Sequence, residues 1–79
     1  MRIEVTAEDI SQGKPKKCYH CPVALALKRA TGMRWQVDNK RAENDDGGRI
    51  AFSEEVEMFI FLFDIGQPVK PLTFEVPGP

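Results

Sequence analysis

The segment Cys21-Pro22-Val23-Ala24-Leu25-Ala26-Leu27-Lys28-Arg29-Ala30-Thr31-Gly32 restricts the possible folds of this chain more than any other. Pro22 suits the first position of a helix, where a missing N–H leaves nothing unpaired, and the stretch behind it is rich in the best helix formers. Lys28 and Arg29 complement the negative end of the helix dipole, and Gly32 supplies a left-handed residue to end the helix. The pattern predicts a helix over 22–31. Val23, Leu27 and Ala30 share one face and Leu25 and Ala26 widen it, so the helix should pack broadly against a sheet.

The flanking segments supply that sheet. Ile3-Glu4-Val5 alternates apolar with polar residues and reads as a half-buried strand. Thr6, with Asp9 three residues on, forms a weak capping box for one short helical turn that stops at Gly13. Trp35 and Val37 alternate with Arg34, Gln36 and Asp38 as a second strand. The polar stretch 39–48 then reads as a long hairpin tip ending in Asp45-Asp46-Gly47-Gly48, after which Ile50 and Phe52 resume the alternation. Ser53 followed by Glu54 and Glu55 is a helix start, predicting a helix over 54–64 stopped by Gly66. Residues 58–63, Met-Phe-Ile-Phe-Leu-Phe, also have high strand propensity, so a buried strand is the alternative there. Leu72, Phe74 and Val76 alternate between Pro71 and Pro77 as a closing strand. The expectation is an α+β domain spanning 1–79: a small antiparallel or mixed sheet of three to four strands packed against two helices, in the order β-α-α-β-β-α-β, the first helix a single short turn.

Size and charge narrow the functional classes. A chain of 79 residues holds one core, in which the five Phe and Trp35 should be the main contributors. The apolar run 58–63 is far too short to span a membrane. The N-terminus lacks the apolar stretch of a signal peptide, which predicts a cytoplasmic protein with reduced thiols. Net charge is −1, but residues 1–41 carry +5 and residues 42–79 carry −6. Such polarity can produce a basic and an acidic face that steer a charged partner, or can intermix on a solvated surface.

Cys18-Tyr19-His20-Cys21 is the one constellation with chemical potential. A structural zinc site needs four ligands, and beyond Cys18, Cys21 and His20 the chain has no further Cys or His. Neither a metal nor a cofactor is expected. A thiol at a helix start beside Lys16 and Lys17 should have a lowered pKa, which keeps open a thiol-dependent enzyme or redox protein using Cys18 and Cys21, with His20 as a base. The plainer alternative is a pair of small apolar residues pinning the loop to the helix. Lys14, Lys16, Lys17, Lys28 and Arg29, with Tyr19 interleaved, could form a phosphate-binding patch of a small nucleic-acid-binding regulator, although a pI near 5.8 is unlike a dedicated nucleic-acid binder. Glu43, Asp45, Asp46, Glu54, Glu55 and Glu57 permit the opposite reading, in which clustered carboxylates compete for a surface that normally holds phosphates. If 58–63 is helical, Val56, Phe59, Ile60 and Phe63 fill the core-facing stripe. Met58, Phe61, Leu62 and Ile65 then fall on another face that needs a cover: the hairpin, the C-terminal segment or another protein.

The motifs Thr6-Ala7-Glu8-Asp9-Ile10, Gly13-Lys14, Cys18-x-x-Cys21-Pro22-Val23-Ala24, Trp35-x-Val37 and Phe63-Asp64-x-Gly66-x-Pro68-Val69-x-Pro71 together resemble a family of very short proteins encoded by bacteriophages and prophages. The resemblance spans nearly the whole chain. It implies a setting, because small phage proteins without catalytic apparatus resemble anti-CRISPR proteins and other inhibitors of host defence. The expected function is therefore stoichiometric inhibition of a bacterial defence complex, a CRISPR effector kept from its target DNA. Contacts are expected from the loop residues Lys14, Lys16, Lys17, Glu43, Asp45 and Asp46, in a monomer or dimer.

Overall fold

The computed structural model describes residues 1–76; the proline expected to close the last strand, Pro77, lies outside them. The chain forms β1 (Arg2–Val5), α1 (Ala7–Gln12), α2 (Pro22–Thr31), β2 (Trp35–Val37), β3 (Arg41–Asn44), β4 (Arg49–Ala51), α3 (Glu54–Asp64) and β5 (Leu72–Glu75). This is an α+β fold in the order the sequence predicts, with one strand added. The strands form two antiparallel sheets, β1-β5 and β2-β3-β4.

The added strand, β3, lies in the segment expected as a hairpin tip. Its sequence, Arg-Ala-Glu-Asn, has only Ala42 to mark an inward face, and Ala42 is fully buried. Backbone pairing on both sides holds it, to Trp35–Val37 on one and Arg49–Ala51 on the other. Polar side chains make its turns. Asp38 Oδ1 accepts the N–H groups of Lys40 and Arg41 at 2.7 and 2.8 Å, and Asn44 Oδ1 accepts those of Asp46 and Gly48 at 3.0 and 2.7 Å.

β1 and β5 pair with Ile3 opposite Phe74 and Val5 opposite Leu72. The pairing extends beyond the strands: Val76 N–H donates to the Met1 carbonyl at 2.9 Å, and the Met1 ammonium donates to the Val76 carbonyl at 2.6 Å. Thr6 caps α1 in the expected box, its Oγ1 accepting from Asp9 N–H while Asp9 Oδ2 accepts from Thr6 N–H. Asp9 is 4% exposed, the one buried charged residue among those described. Arg29 of α2 reaches it bidentately at 2.7 and 2.8 Å and donates to the Glu4 carbonyl at 2.7 Å, tying β1, α1 and α2 together. Burial pushes the Asp9 carboxyl up, but the Arg29 hydrogen bond and charge and the Thr6 donors outweigh it and leave the pKa below the ordinary value.

α2 begins at Pro22 and ends at Gly32, whose φ of 75° is the left-handed conformation expected of it. Its buried face is Val23, Ala24, Ala26 and Leu27; Leu25 is half-buried. Ala30, expected on that face, is exposed because the packing ends one turn earlier, where an apolar groove lined by Met33, Trp35, Ile50 and Val76 opens. Thr31 organises this end. Its hydroxyl donates to the Leu27 carbonyl at 2.7 Å and accepts the Trp35 indole N–H at 2.8 Å.

The core keeps Trp35, 6% exposed, but not the majority of Phe rings expected in it. Its largest fully buried side chains include Ile3, Val5, Val23, Leu27 and Val56, and Phe59 is the only buried Phe. Phe52 and Phe74 are half-buried and pack edge-to-face at 6.1 Å between centroids. Aliphatic side chains from β1, α2 and α3 fill the interior and leave most of the Phe rings at its margin.

Candidate functional site

Burial decides what the Cys18-Tyr19-His20-Cys21 segment can do. Cys21 is 5% exposed and occupies the N-cap of α2, its Sγ accepting the Ala24 N–H at 3.4 Å. Burial pushes the Cys21 thiol up to about 11; the Ala24 and Val23 N–H groups oppose the rise, and Asp64 and Cys18 add slightly to it. The lowered pKa expected of a thiol at a helix start therefore fails at Cys21, because desolvation outweighs the helix end. Cys18 is half-buried, and its carbonyl accepts the Val37 N–H at 2.9 Å. Both thiols are free. His20 is exposed; its backbone bonds to Lys14 and Lys17, and among the described residues no hydrogen bond joins its imidazole to either thiol. Also among them, no three His, Cys, Asp or Glu side chains are grouped to hold a metal ion. No helix there is long and apolar enough to cross a membrane.

The basic loop has a defined seat. Gly13 lies so close to Pro22 that an added Cβ would stand 2.7 Å from the ring, which turns the chain tightly against the start of α2. Lys16 adopts a left-handed backbone, φ 62°, and its N–H donates to Asp64 Oδ1 at 3.0 Å. This fastens the loop to the last residue of α3. A cleft of about 300 Å³ results, lined by Lys16, Lys17, Cys18, Asp38, Phe61 and Asp64 among others.

The six expected contact residues divide into two groups. Lys16 and Lys17 line this cleft, and Lys14 is exposed on the same loop. Glu43, Asp45 and Asp46 lie on β3 and its following turn. Glu43 is half-buried with Arg49 at 3.8 Å, Asp45 has Arg34 at 3.5 Å, and Asp46 is exposed. Arg34 joins the two regions, since its guanidinium also stacks 4.5 Å from the centre of the Tyr19 ring. The strand alternation marked Arg34 only as an outward residue; no sequence signal revealed the bridge.

The most prominent surface is the outer face of α3. Ser53 caps this helix and Gly66, φ 84°, ends it; Gly66 N–H bonds to the Phe63 carbonyl and Gln67 N–H to that of Leu62. Val56, Phe59 and Ile60 are buried and Phe63 is half-buried, as the helical reading requires. Met58, Phe61 and Ile65 are 56, 53 and 53% exposed. Their spacing of three and four residues aligns them along one stripe. Leu62, expected beside them, is half-buried. Phe61 separates the first cleft, whose two lysines are matched by Asp38 and Asp64, from a second crevice lined by Asn39, Lys40, Glu54, Glu57 and Met58.

No protein-family model, curated protein or solved structure matches this chain. The resemblance to short phage and prophage proteins rests on the sequence motifs alone.

Proposed function

We propose that this protein acts by stoichiometric binding to another protein, with the outer face of α3 as the anchor. One observation carries the reading: Met58 and Phe61 on α3 and Ile65 at its C-cap are each more than half exposed, at spacings of three and four residues that align them. Burying about 100 Å² of each on a partner would contribute on the order of 2 kcal/mol per side chain. Apolar anchors of this kind supply binding energy, while charges at the rim raise the encounter rate. Lys16 and Lys17 occupy that rim beside Phe61. Of the acidic hairpin, Asp46 is left without a cationic partner among the described residues to add steering at a distance.

For the target, the phage-like motifs support a bacterial defence complex, a CRISPR effector whose access to target DNA is blocked. The thiol-dependent alternative is weakened by the protonated, helix-capping Cys21. The experiment is affinity capture from a bacterial lysate containing CRISPR effector complexes, using the wild type and Phe61→Asp, with mass spectrometry and a target-DNA binding assay on the recovered material. The expected result is an effector complex that has lost DNA binding, recovered by the wild type and not by the variant. Equal recovery by both would refute the α3 face as the anchor. Recovery of a different protein would keep the binding mode and replace the target.

A further inference from the structure

We propose that the outer edge of β4 takes up an extended segment of a partner protein as an added antiparallel strand, in which an apolar residue is flanked by acidic ones. The hydrogen-bond pattern of the β3-β4 pair leaves this edge open. Asn44 N–H donates to the Gly48 carbonyl and Phe52 N–H to the Lys40 carbonyl, both at 3.0 Å, and Ala42 lies opposite Ile50. Every second residue of this segment therefore faces β3, and the N–H and C=O groups of Arg49 and Ala51 face away from it. Among the described residues, none of those four groups has a backbone hydrogen-bond partner. An exposed edge of this kind is a template for strand addition.

Both faces of the strand are open beside this edge. On the inner face, Arg49 and Ile50 line the apolar groove of about 430 Å³ together with Met1, Met33, Trp35 and Val76. β5 does not fill the gap: it pairs with β1, although its Phe74 packs against Phe52, the residue after β4. On the outer face, a hollow of about 240 Å³ is lined by Lys40, Arg41, Arg49, Ile50 and Ala51, three cations and no carboxylate. Arg49 has Glu43 at 3.8 Å and Lys40 has Glu57 at 4.0 Å, while Arg41 has no ion pair among the described residues, so the hollow keeps a net positive charge. These two hollows set the partner's sequence, because side chains alternate between the faces of a strand. A residue opposite Ile50 points into the groove and is apolar. Its neighbours exchange both backbone bonds with Arg49 and Ala51, point toward the cations and are acidic. Neither hollow is lined by Met58, Phe61 or Ile65, so this surface is separate from the α3 stripe.

The test is NMR-detected amide hydrogen exchange of the intact chain with an acetylated, amidated peptide of sequence Thr-Glu-Val-Glu-Val-Glu-Thr. In the free chain the Ile50 and Phe52 amides should be protected and those of Arg49 and Ala51 should exchange freely. Peptide at about 5 mM should slow Arg49 and Ala51 at least about fivefold, which corresponds to a dissociation constant of about 1 mM or tighter. The same peptide with Lys for Glu should bind at least about fivefold more weakly, as should the original peptide to Arg41→Glu, whose folding circular dichroism confirms. The peptide N-methylated at its Glu residues keeps the charges but loses the donors, and should give no protection. Absence of protection at Arg49 and Ala51 with about 5 mM of the original peptide would overturn the proposal. So would protection of both in the free chain, which would show the edge already occupied, or equal binding of the Lys or N-methylated peptide. None of these measurements involves the α3 stripe, so this proposal and the reading of α3 fail separately.

Discussion

Replacing Asp9 with Asn should reveal how strongly one buried carboxylate holds β1, α1 and α2 together. The Asp9 side chain accepts from Thr6 N–H and from two Arg29 nitrogens, all at 2.7–2.9 Å. Asn keeps the shape, but it must turn an NH₂ toward one of those donors and it loses the charge that strengthens the others. Hydrogen bonds to a charged group contribute about 1.5–3 kcal/mol each, and a lost cap about 1 kcal/mol. Arg29 is half exposed and regains water when released, which lowers the total, so a loss of roughly 2 kcal/mol is expected at pH 7. In a chain of this size that is roughly 8–16 °C in Tm. The sign with pH follows from the direction of the shift. The folded-state pKa is below the ordinary 3.8, so the carboxylate's contribution is complete above that value and disappears as pH falls through the folded-state pKa. Urea denaturation of both proteins at pH 7 and near pH 2 measures this. Equal midpoints at pH 7, or a gap that does not shrink in acid, would show that the Asp9 charge does not hold these elements together.

Cys21 should act oppositely with pH. Its thiol is raised from 9.0 to about 11, so its stabilising effect is complete below pH 9 and is lost as pH rises toward 11, by roughly 2–3 kcal/mol; Cys21→Ala should lack that alkaline component in denaturation curves. Iodoacetamide mass mapping should modify Cys18 in the native protein and Cys21 only under denaturing conditions. Gly13→Ala should cost about 1–3 kcal/mol, measured by thermal melting, because the new methyl meets the Pro22 ring at 2.7 Å. Thr31→Val should cost about 1–2 kcal/mol and shift Trp35 fluorescence, since it strands the indole N–H bonded at 2.8 Å.

Legibility in the sequence followed the strength of local signals. The boundaries of α2 and α3 were readable because Pro22, Gly32, Ser53 and Gly66 mark them through backbone geometry that few other residues satisfy. β3 was hidden because a central strand held by backbone bonds needs little apolar alternation, and Ala42 alone supplied it. The division into two sheets was equally invisible, being a matter of which strands pair at a distance. At the site, helical periodicity already separated Met58, Phe61 and Ile65 from the core stripe. The positions of Lys16 and Lys17 beside Phe61 depend on one long-range bond to Asp64, for which the sequence holds no local sign. The protonated state of Cys21 was likewise out of reach, because a helix start lowers a thiol's pKa only where burial does not dominate.

Contact of the α3 stripe with a foreign protein is the step on which the proposed function depends. Its most direct test places a photo-crosslinking phenylalanine analogue at position 61 and, as a control, at exposed Ser11 on α1, in cells that carry the defence complex. The expected result is a discrete adduct with one host protein from position 61 and none from position 11. Adducts from position 11 alone, or no host adduct from position 61, would contradict it.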